Sequence, residues 1–263
     1  MPMPRPRDYT SITEVPGSRA TRQQLARLHD RYHFAKQLAG NRRVLEVACG
    51  AGMGLGYLAG EAQFVVGGDY TEPLLHAAQG NCGGRVPLVR LDAQELPFRE
   101  SSFDLVFMFE AIYYLQHPEK FVQEARRVLD KDGLLLIGTV NRDWTGFAPS
   151  NLSTRYFSVP ELCDMIASGG FSNLQVFAAF PDTGGIGHEL LSLARRAAAR
   201  LHLIPGSLKP REALKRILYG RLVPIPPQVT DDMPKSEPPQ PIPADRPNHT
   251  HSIIYCVARR GGR

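Results

Sequence analysis

The sequence predicts an α/β fold of the doubly wound type, built on a mostly parallel, seven-stranded sheet. Short apolar segments alternate with helical patterns from residue 41 to residue 182. This alternation is typical of a parallel sheet with helices on both faces. The first apolar segment also leads into a glycine-rich turn. Open sheets of this type bind ligands beside such turns, at the carboxyl ends of their strands.

Seven apolar segments are the predicted strands, and helical patterns lie between them. In the helical segments, apolar residues recur at intervals of three and four. Ser158 and Glu161 form a capping box that begins a further helix, and Gly169 and Gly170 end it. The predicted strands are 44–48, 64–67, 86–91, 105–109, 134–140, 174–180 and 252–258, and the predicted helices before the capping box are 19–38, 55–59, 73–78 and 118–129.

The chain outside these elements divides into an N-terminal part and an insertion. Residues 1–40 form an arm and a cap helix, and we expect the core to comprise residues 41–182 and 250–260. Residues 183–249 form an insertion before the last strand.

The insertion is basic in its first half and rich in proline in its second. Two basic helices are predicted at 187–204 and 209–222, and nine of the 22 prolines fall between residues 224 and 247. Proline is excluded from helix interiors and from central strands. We therefore expect the proline-rich part either to wrap over the body as an extended segment or to act as a lid.

The composition is that of a globular protein in a reducing compartment. Hydrophobic residues make up 43% and charged residues 22%, with a net charge of +5 that permits an anionic partner but selects none. The four cysteines are scattered, and the N-terminus lacks the apolar core of a signal peptide. We predict a cytoplasmic protein.

We expect no metal site, because His188, His249 and His251 lack a matching cysteine or carboxylate cluster.

The glycine-rich turn reads Val44-Leu-Glu-Val-Ala-Cys-Gly-Ala-Gly-Met-Gly54. Its glycines let the backbone approach a ligand closely, and the following helix N-terminus favours an acidic ligand group. The dinucleotide fingerprint G-x-G-x-x-G would need glycine at position 55 or 57, where Leu55 and Tyr57 stand. A register from Gly54 to Ala59 begins inside the expected helix. A nicotinamide-binding turn is therefore disfavoured.

The same turn contains an acidic residue followed by small residues two apart, Glu46-x-Ala48-x-Gly50-x-Gly52. It resembles motif I of the class I S-adenosylmethionine-dependent methyltransferases, E/D-x-G-x-G-x-G, with alanine in place of the first glycine. Later matches follow in the family's order: Asp69 ends the second strand, Asp92-Ala93 follows the third, and Phe109 ends the fourth. The resemblance covers about residues 40–180 and the last strand. It implies a Rossmann-like fold and S-adenosyl-L-methionine as cofactor.

The resemblance assigns cofactor contacts residue by residue. Asp69 would accept hydrogen bonds from the ribose hydroxyls, Asp92-Ala93 would lie beside the adenine, and Phe109 would lie near the methionine part. Tyr32, on the helix before motif I, would close over the donor. The expected cofactor-binding residues are Glu46, Ala48, Gly50, Gly52, Asp69, Tyr70, Asp92, Ala93, Phe109 and Tyr32.

The acceptor side is less constrained, because transfer from an activated methyl group depends mainly on alignment. Tyr114 could orient the acceptor and His117 could act as a base, and simple packing or a surface position remains open for each. Small-molecule members of the family often build the acceptor pocket after the fifth strand. The expected substrate-binding residues are Tyr113, Tyr114, Asn141, Trp144, Arg155 and Tyr156.

We therefore expect a methyltransferase that acts on an oxygen or nitrogen of a small-molecule or glycan-type metabolite. One alternative is a lipid or polyisoprenoid-linked acceptor, with the basic segment 187–222 at a membrane surface. The non-enzymatic alternative is an interaction module that keeps the nucleotide-binding fold. We expect no nucleic-acid partner, because the sequence contains no recognised binding module.

Overall fold

The computed structural model of the chain describes residues 8–150, 152–182 and 222–261. Five α-helices, a 3-10 turn and ten strands are found in these ranges. The helices are α1 Arg22–Ala39, α2 Leu55–Ala59, α3 Glu72–Asn81, α4 Pro118–Val128 and α5 Val159–Ser168, and the 3-10 turn is Ile112–Tyr114. The strands are β1 Arg19–Ala20, β2 Arg43–Val47, β3 Phe64–Asp69, β4 Leu88–Arg90, β5 Phe103–Phe109, β6 Leu129–Val140, β7 Phe171–Pro181, β8 Val223–Pro224, β9 Gln240–Ile242 and β10 His251–Arg260.

The main sheet has the order β4-β3-β2-β5-β6-β10-β7-β9. Strands β2 to β6 pair in parallel. β10 lies antiparallel between β6 and β7. The chain moves outward from β2 to β4 and then crosses to β5 on the other side. The strand order thus reverses between β2 and β5, which opens a crevice at their carboxyl ends.

The predicted α/β architecture is confirmed, but the strand count is wrong, because the sheet has eight strands rather than seven. The extra strand, β9, comes from the proline-rich segment and pairs antiparallel with β7. Pro241 stands opposite Phe177 within this short pairing. An edge strand tolerates proline because one side of its backbone needs no ladder partner.

Helix α1 begins three residues later than predicted. Thr21 caps it in a reciprocal capping box with Gln24. The preceding pair Arg19–Ala20 forms β1, which pairs with Val223–Pro224. A second difference is that β6 begins at Leu129, directly after α4, rather than at residue 134.

The two faces of the sheet carry separate hydrophobic cores, as alternating side chains along buried strands require. Leu45, Val106 and Met108 face one side, in a cluster with residues of α4 and α5. Leu105 and Phe107 face the other side, in a cluster with residues of α1 and α2. Helix α1 therefore packs on the sheet close to the end of β5.

Two sets of sequence predictions concern residues that are not described. The basic helices predicted at 187–204 and 209–222 lie outside the described residues, except for residue 222, and so does His188. The proline-rich part from residue 224 to 247 is described and consists of short extended stretches, including β9, separated by turns and bends. In the described ranges, no helix combines the length and apolar character that crossing a membrane requires.

Candidate active site

A cavity of about 670 Å³ opens at the carboxyl ends of β2, β3 and β5. Its lining comes from the glycine-rich turn, the loops after β3, β4 and β5, one face of α1 and residues 9–14 of the arm. The cavity therefore lies at the crevice that the strand order creates.

The glycine-rich turn owes its shape to left-handed backbone conformations. Ala48, Gly50 and Gly52 have φ values of 63°, 55° and 69°, a region that glycine enters without steric cost. Gly54 is needed for a different reason, because a β-carbon there would lie 1.9 Å from Cε1 of Tyr32. The turn thus packs directly against the tyrosine of α1.

Asp69, at the end of β3, fastens this turn to the neighbouring strand. Its Oδ2 accepts the Gly50 N–H at 2.8 Å, and its Oδ1 accepts the Thr71 N–H at 2.8 Å. Burial raises the pKa of Asp69, and the two backbone donors oppose that rise. Each carboxylate oxygen keeps a second lone pair for a ligand hydroxyl.

Glu46 is a buried acid at the end of β2. Its Oε1 accepts the Tyr32 hydroxyl at 2.7 Å. Its Oε2 is buried and has no hydrogen-bond partner among the described residues. Burial, together with the nearby charge of Asp69, raises the pKa of Glu46 to about 8. The unpartnered oxygen is free to accept a proton donor from a ligand in the cavity.

The remaining predicted cofactor residues, except Gly52, also line the cavity. Asp92 is exposed, and its Oδ1 accepts the backbone N–H of Gln94 at 2.8 Å. Phe109 is buried edge-to-face against Tyr32, with ring centroids 5.7 Å apart. Nine of the ten predicted residues line the cavity, and Gly52 does not. Those nine are Glu46, Ala48, Gly50, Asp69, Tyr70, Asp92, Ala93, Phe109 and Tyr32.

The far end of the cavity is aromatic and contains Glu110. Tyr113 and Tyr114 line it with their rings 4.5 Å apart, and Tyr9 of the arm lies 5.5 Å from Tyr114. Glu110 accepts the Tyr113 hydroxyl at 3.2 Å. Its backbone φ of 52° is rare for a non-glycine residue. Burial raises the pKa of Glu110 to about 7.

Two arginines of α1 also line the cavity and were missed from the sequence. The Nη2 of Arg27 donates to Ser252 at 2.9 Å, and the Nη2 of Arg31 donates to Glu14 at 2.8 Å. In the described part of the chain, the Nε of each arginine is buried without a partner. Their four-residue spacing places both on one helix face, which is the signal that could have found them.

Four predicted substrate residues do not appear among the described residues that line the cavity: Asn141, Trp144, Arg155 and Tyr156. The loop after β6 turns towards β10, where the buried amide of Asn141 donates to the Asn248 carbonyl at 2.6 Å. Arg155 is paired with Glu119 at 3.4 Å. These contacts hold the loop and leave its side chains outside the cavity.

The aromatic residues of this loop pack behind the cavity wall, and His117 also lies outside it. The Tyr156 ring lies 5.0 Å from that of Tyr113 and supports it from behind. The Trp144 ring packs against Gly146, where a β-carbon would lie 2.4 Å from it. His117 is exposed at the start of α4, and its backbone N–H donates to Gln94 at 2.9 Å.

Comparison with known proteins places the centre of the chain in one family. Residues 45–137 match the family described as a methyltransferase domain. A "probable S-adenosylmethionine-dependent methyltransferase" of Mycobacterium tuberculosis is 32% identical over 145 residues, which is 53% of this chain and 52% of the relative. A malonyl-[acyl-carrier protein] O-methyltransferase of Legionella pneumophila is 32% identical over 150 residues, 53% of this chain and 51% of the relative. The chain thus spans about half the length of these relatives.

Solved structures extend the likeness to the fold of nearly the whole chain. A Thermotoga maritima protein described as a possible histamine N-methyltransferase superimposes with a TM-score of 0.60 at 18% identity. The superposition covers 91% of this chain and 92% of the other. The matched domain contains the glycine turn, Asp69, Asp92 and Phe109. Residues 45–137 therefore match the methyltransferase domain family, and the chain shares the fold of solved S-adenosylmethionine-dependent methyltransferases.

Proposed function

We propose that this protein transfers a methyl group from S-adenosyl-L-methionine to an oxygen or nitrogen of a small-molecule or glycan-type acceptor. The observation that carries the proposal is one continuous cavity. Its first end is lined by the motif I turn, Asp69 and Asp92, and its second end by Glu110 and the tyrosines. A donor held at the first end would direct its methyl group towards an acceptor at the second.

The first end offers the polar groups that an S-adenosylmethionine molecule requires. The unpartnered Oε2 of Glu46 and the buried Nε of Arg31 are suited to the ammonium and the carboxylate of the methionine part. Asp69 has free lone pairs for the ribose diol. When bound, the cofactor supplies a methyl group already activated on a sulfonium.

The second end offers a base for the acceptor's proton and groups that can orient the acceptor. A hydroxyl or ammonium acceptor must lose a proton, and a base whose pKa lies near the working pH is the most effective. Glu110, with a pKa raised to about 7 by burial, meets this requirement. Tyr113 donates to Glu110 and fixes the direction of its carboxylate. Alignment of acceptor and methyl group within the closed cavity contributes the rest of the rate.

Other attributes of the protein follow as proposals. The four cysteines are free and buried, which supports a cytoplasmic location, where thiols stay reduced. We propose no nucleic-acid partner. A lipid-linked acceptor would require the basic segment 187–222 at a membrane surface. Only residue 222 of that segment is among the described residues.

Titration calorimetry with S-adenosylhomocysteine tests the donor half. Wild type should bind one equivalent, and Asp69→Asn should bind at least about tenfold more weakly. The asparagine loses one charge-assisted acceptor, worth roughly 1.5–3 kcal/mol. Asp164→Asn, on the exposed side of α5, is the matched control and should bind as wild type does. No binding by wild type would refute the enzyme proposal in favour of an interaction module.

Methyl transfer to a panel of phenols, alcohols, amines and carboxylic acids tests the acceptor half, with S-adenosylhomocysteine release as the readout. With Glu110 as base, the rate should rise about tenfold from pH 6 to pH 8, as the fraction of deprotonated carboxylate does for a pKa of about 7. Glu110→Gln should be slow and should lack this rise. An unchanged pH profile in the variant would remove Glu110 from proton transfer.

A further inference from the structure

We propose a zinc site formed by His29, His33 and Asp231, separate from the active-site cavity. One ligand atom of each residue lies within 4.8 Å of the ligand atoms of the other two. His29 and His33 are four residues apart on α1, and their rings stack with centroids 5.4 Å apart. Histidines at this helical spacing face one side and can bind one metal ion.

The buried histidine has the environment of a metal ligand. Nδ1 of His29 lies 2.8 Å from Oδ1 of Asp30, and the backbone N–H of Ser236 donates to the other Asp30 oxygen at 3.0 Å. A carboxylate at Nδ1 holds the proton there and leaves the lone pair on Nε2. This pairing of carboxylate and imidazole is the usual outer shell of zinc-binding histidines.

That free nitrogen is the observation that points to a ligand. His29 is 1% exposed. Its Nε2 is buried and has no hydrogen-bond partner within the described ranges. A buried polar atom without a partner costs free energy, and folded proteins rarely leave one unexplained. A zinc ion would satisfy this lone pair.

The other two members are held beside it by a tyrosine. The Tyr57 hydroxyl donates to Oδ1 of Asp231 at 2.5 Å and lies 3.2 Å from Nδ1 of His33. Tyr57 therefore orients the carboxylate as a second outer-shell partner. Lys36 lies 4.0 Å from Asp231 and competes for it, but Glu61 offers that ammonium another partner at 3.6 Å.

The ligand set favours zinc over harder cations. Two imidazoles and one carboxylate are a common protein set for zinc, with water as the fourth ligand. Tetrahedral geometry places ligand atoms about 3.3 Å apart, so His33 and Asp231, both exposed, would rotate inward. Because Asp231 is far from both histidines in sequence, a search for metal-ligand spacings would not find this site. A bound ion would fasten α1 to the extended segment that contains Asp231.

Calorimetric titration of the full chain with ZnCl₂, after removal of metal with EDTA, tests the proposal. We expect one equivalent of zinc and a higher thermal unfolding temperature in its presence. His33→Gln and Asp231→Asn should each bind at least tenfold more weakly and lose the temperature rise. Co²⁺ bound in place of zinc should give the visible absorption of a tetrahedral site in wild type only.

Histidines elsewhere provide the controls. His76→Gln and His249→Gln remove exposed imidazoles outside the cluster and should bind zinc as wild type does. Far-UV circular dichroism checks that every variant is folded, and either cluster variant suffices if the other unfolds. Absence of a tight equivalent in wild type, or wild-type affinity in the folded cluster variants, would overturn the site.

Discussion

Replacement of Glu46 by glutamine should stabilise the ligand-free protein, and more so at higher pH. Burial raises the pKa of Glu46 from 4.5 to about 8. The folded protein therefore keeps a proton that the unfolded chain releases above pH 4.5, so stability falls as the pH rises and levels off above about 8. At 1.36 kcal/mol per pKa unit, the carboxyl group costs about 2 kcal/mol at pH 6 and about 4 kcal/mol at pH 8.

Glutamine removes this cost because it is neutral at every pH and still offers an oxygen to the Tyr32 hydroxyl. Urea denaturation at pH 6 and pH 8, followed by circular dichroism, measures the free energy of unfolding. The gain over wild type should grow by about 2 kcal/mol between the two pH values. Glu100→Gln, at an exposed position, is the control. A gain that is equal at both pH values, or a loss at pH 8, would refute the reasoning.

The same variant links stability to binding. If the Glu46 carboxylate is retained for the donor's ammonium group, Glu46→Gln should bind S-adenosylhomocysteine at least about tenfold more weakly, the loss of one charge-assisted hydrogen bond. A protein that is more stable but binds less well is the expected result when a site keeps a buried charge for its ligand. Unchanged affinity would place Glu46 outside the donor contacts.

Two further substitutions, with one control, test the glycine turn and the role of Tyr114. Gly54→Ala should lower the unfolding temperature by several degrees and weaken donor binding, because its β-carbon would overlap the Tyr32 ring. Gly60→Ala, at the other end of the same short helix, meets its nearest atom only at 3.7 Å and should be neutral in a thermal unfolding assay. Tyr114→Phe should reduce turnover more than S-adenosylhomocysteine affinity if its hydroxyl orients the acceptor, and equal turnover in a steady-state assay would leave it a packing role.

That the proposed donor residues would gather at one cavity was predictable, because most of them lie close to the end of a strand. Glu46, Asp69 and Phe109 stand at the ends of strands, and parallel strands bring those ends to one edge of the sheet. The structure adds a contact that no sequence pattern indicates: Asp69 accepts the Gly50 N–H and so holds the glycine turn in place. The prediction of a nucleotide-type ligand therefore rested on residues whose positions follow from the order of the parallel strands.

The rest of the cavity lining was less predictable because its contacts are distant in sequence. Arg27 meets Ser252 and Arg31 meets Glu14, so neither pair forms a motif. We expected the loop after β6 to line the pocket. Its buried Asn141 amide instead forms hydrogen bonds at the start of β10. The eighth strand was missed for a related reason, since a proline-rich segment resembles a loop until a sheet edge offers it a partner.

The extended segment after residue 222 determines more of the cavity than its composition indicates. Ile225 exchanges backbone hydrogen bonds with the arm, accepting the Gly17 N–H at 2.9 Å and donating to Ser18 at 2.8 Å. Val229 donates to the Met53 carbonyl of the glycine turn at 2.8 Å. Because residues of the arm and of the turn both line the cavity, one segment fixes both. The shape of the cavity therefore depends on the segment after residue 222, as well as on the strand ends.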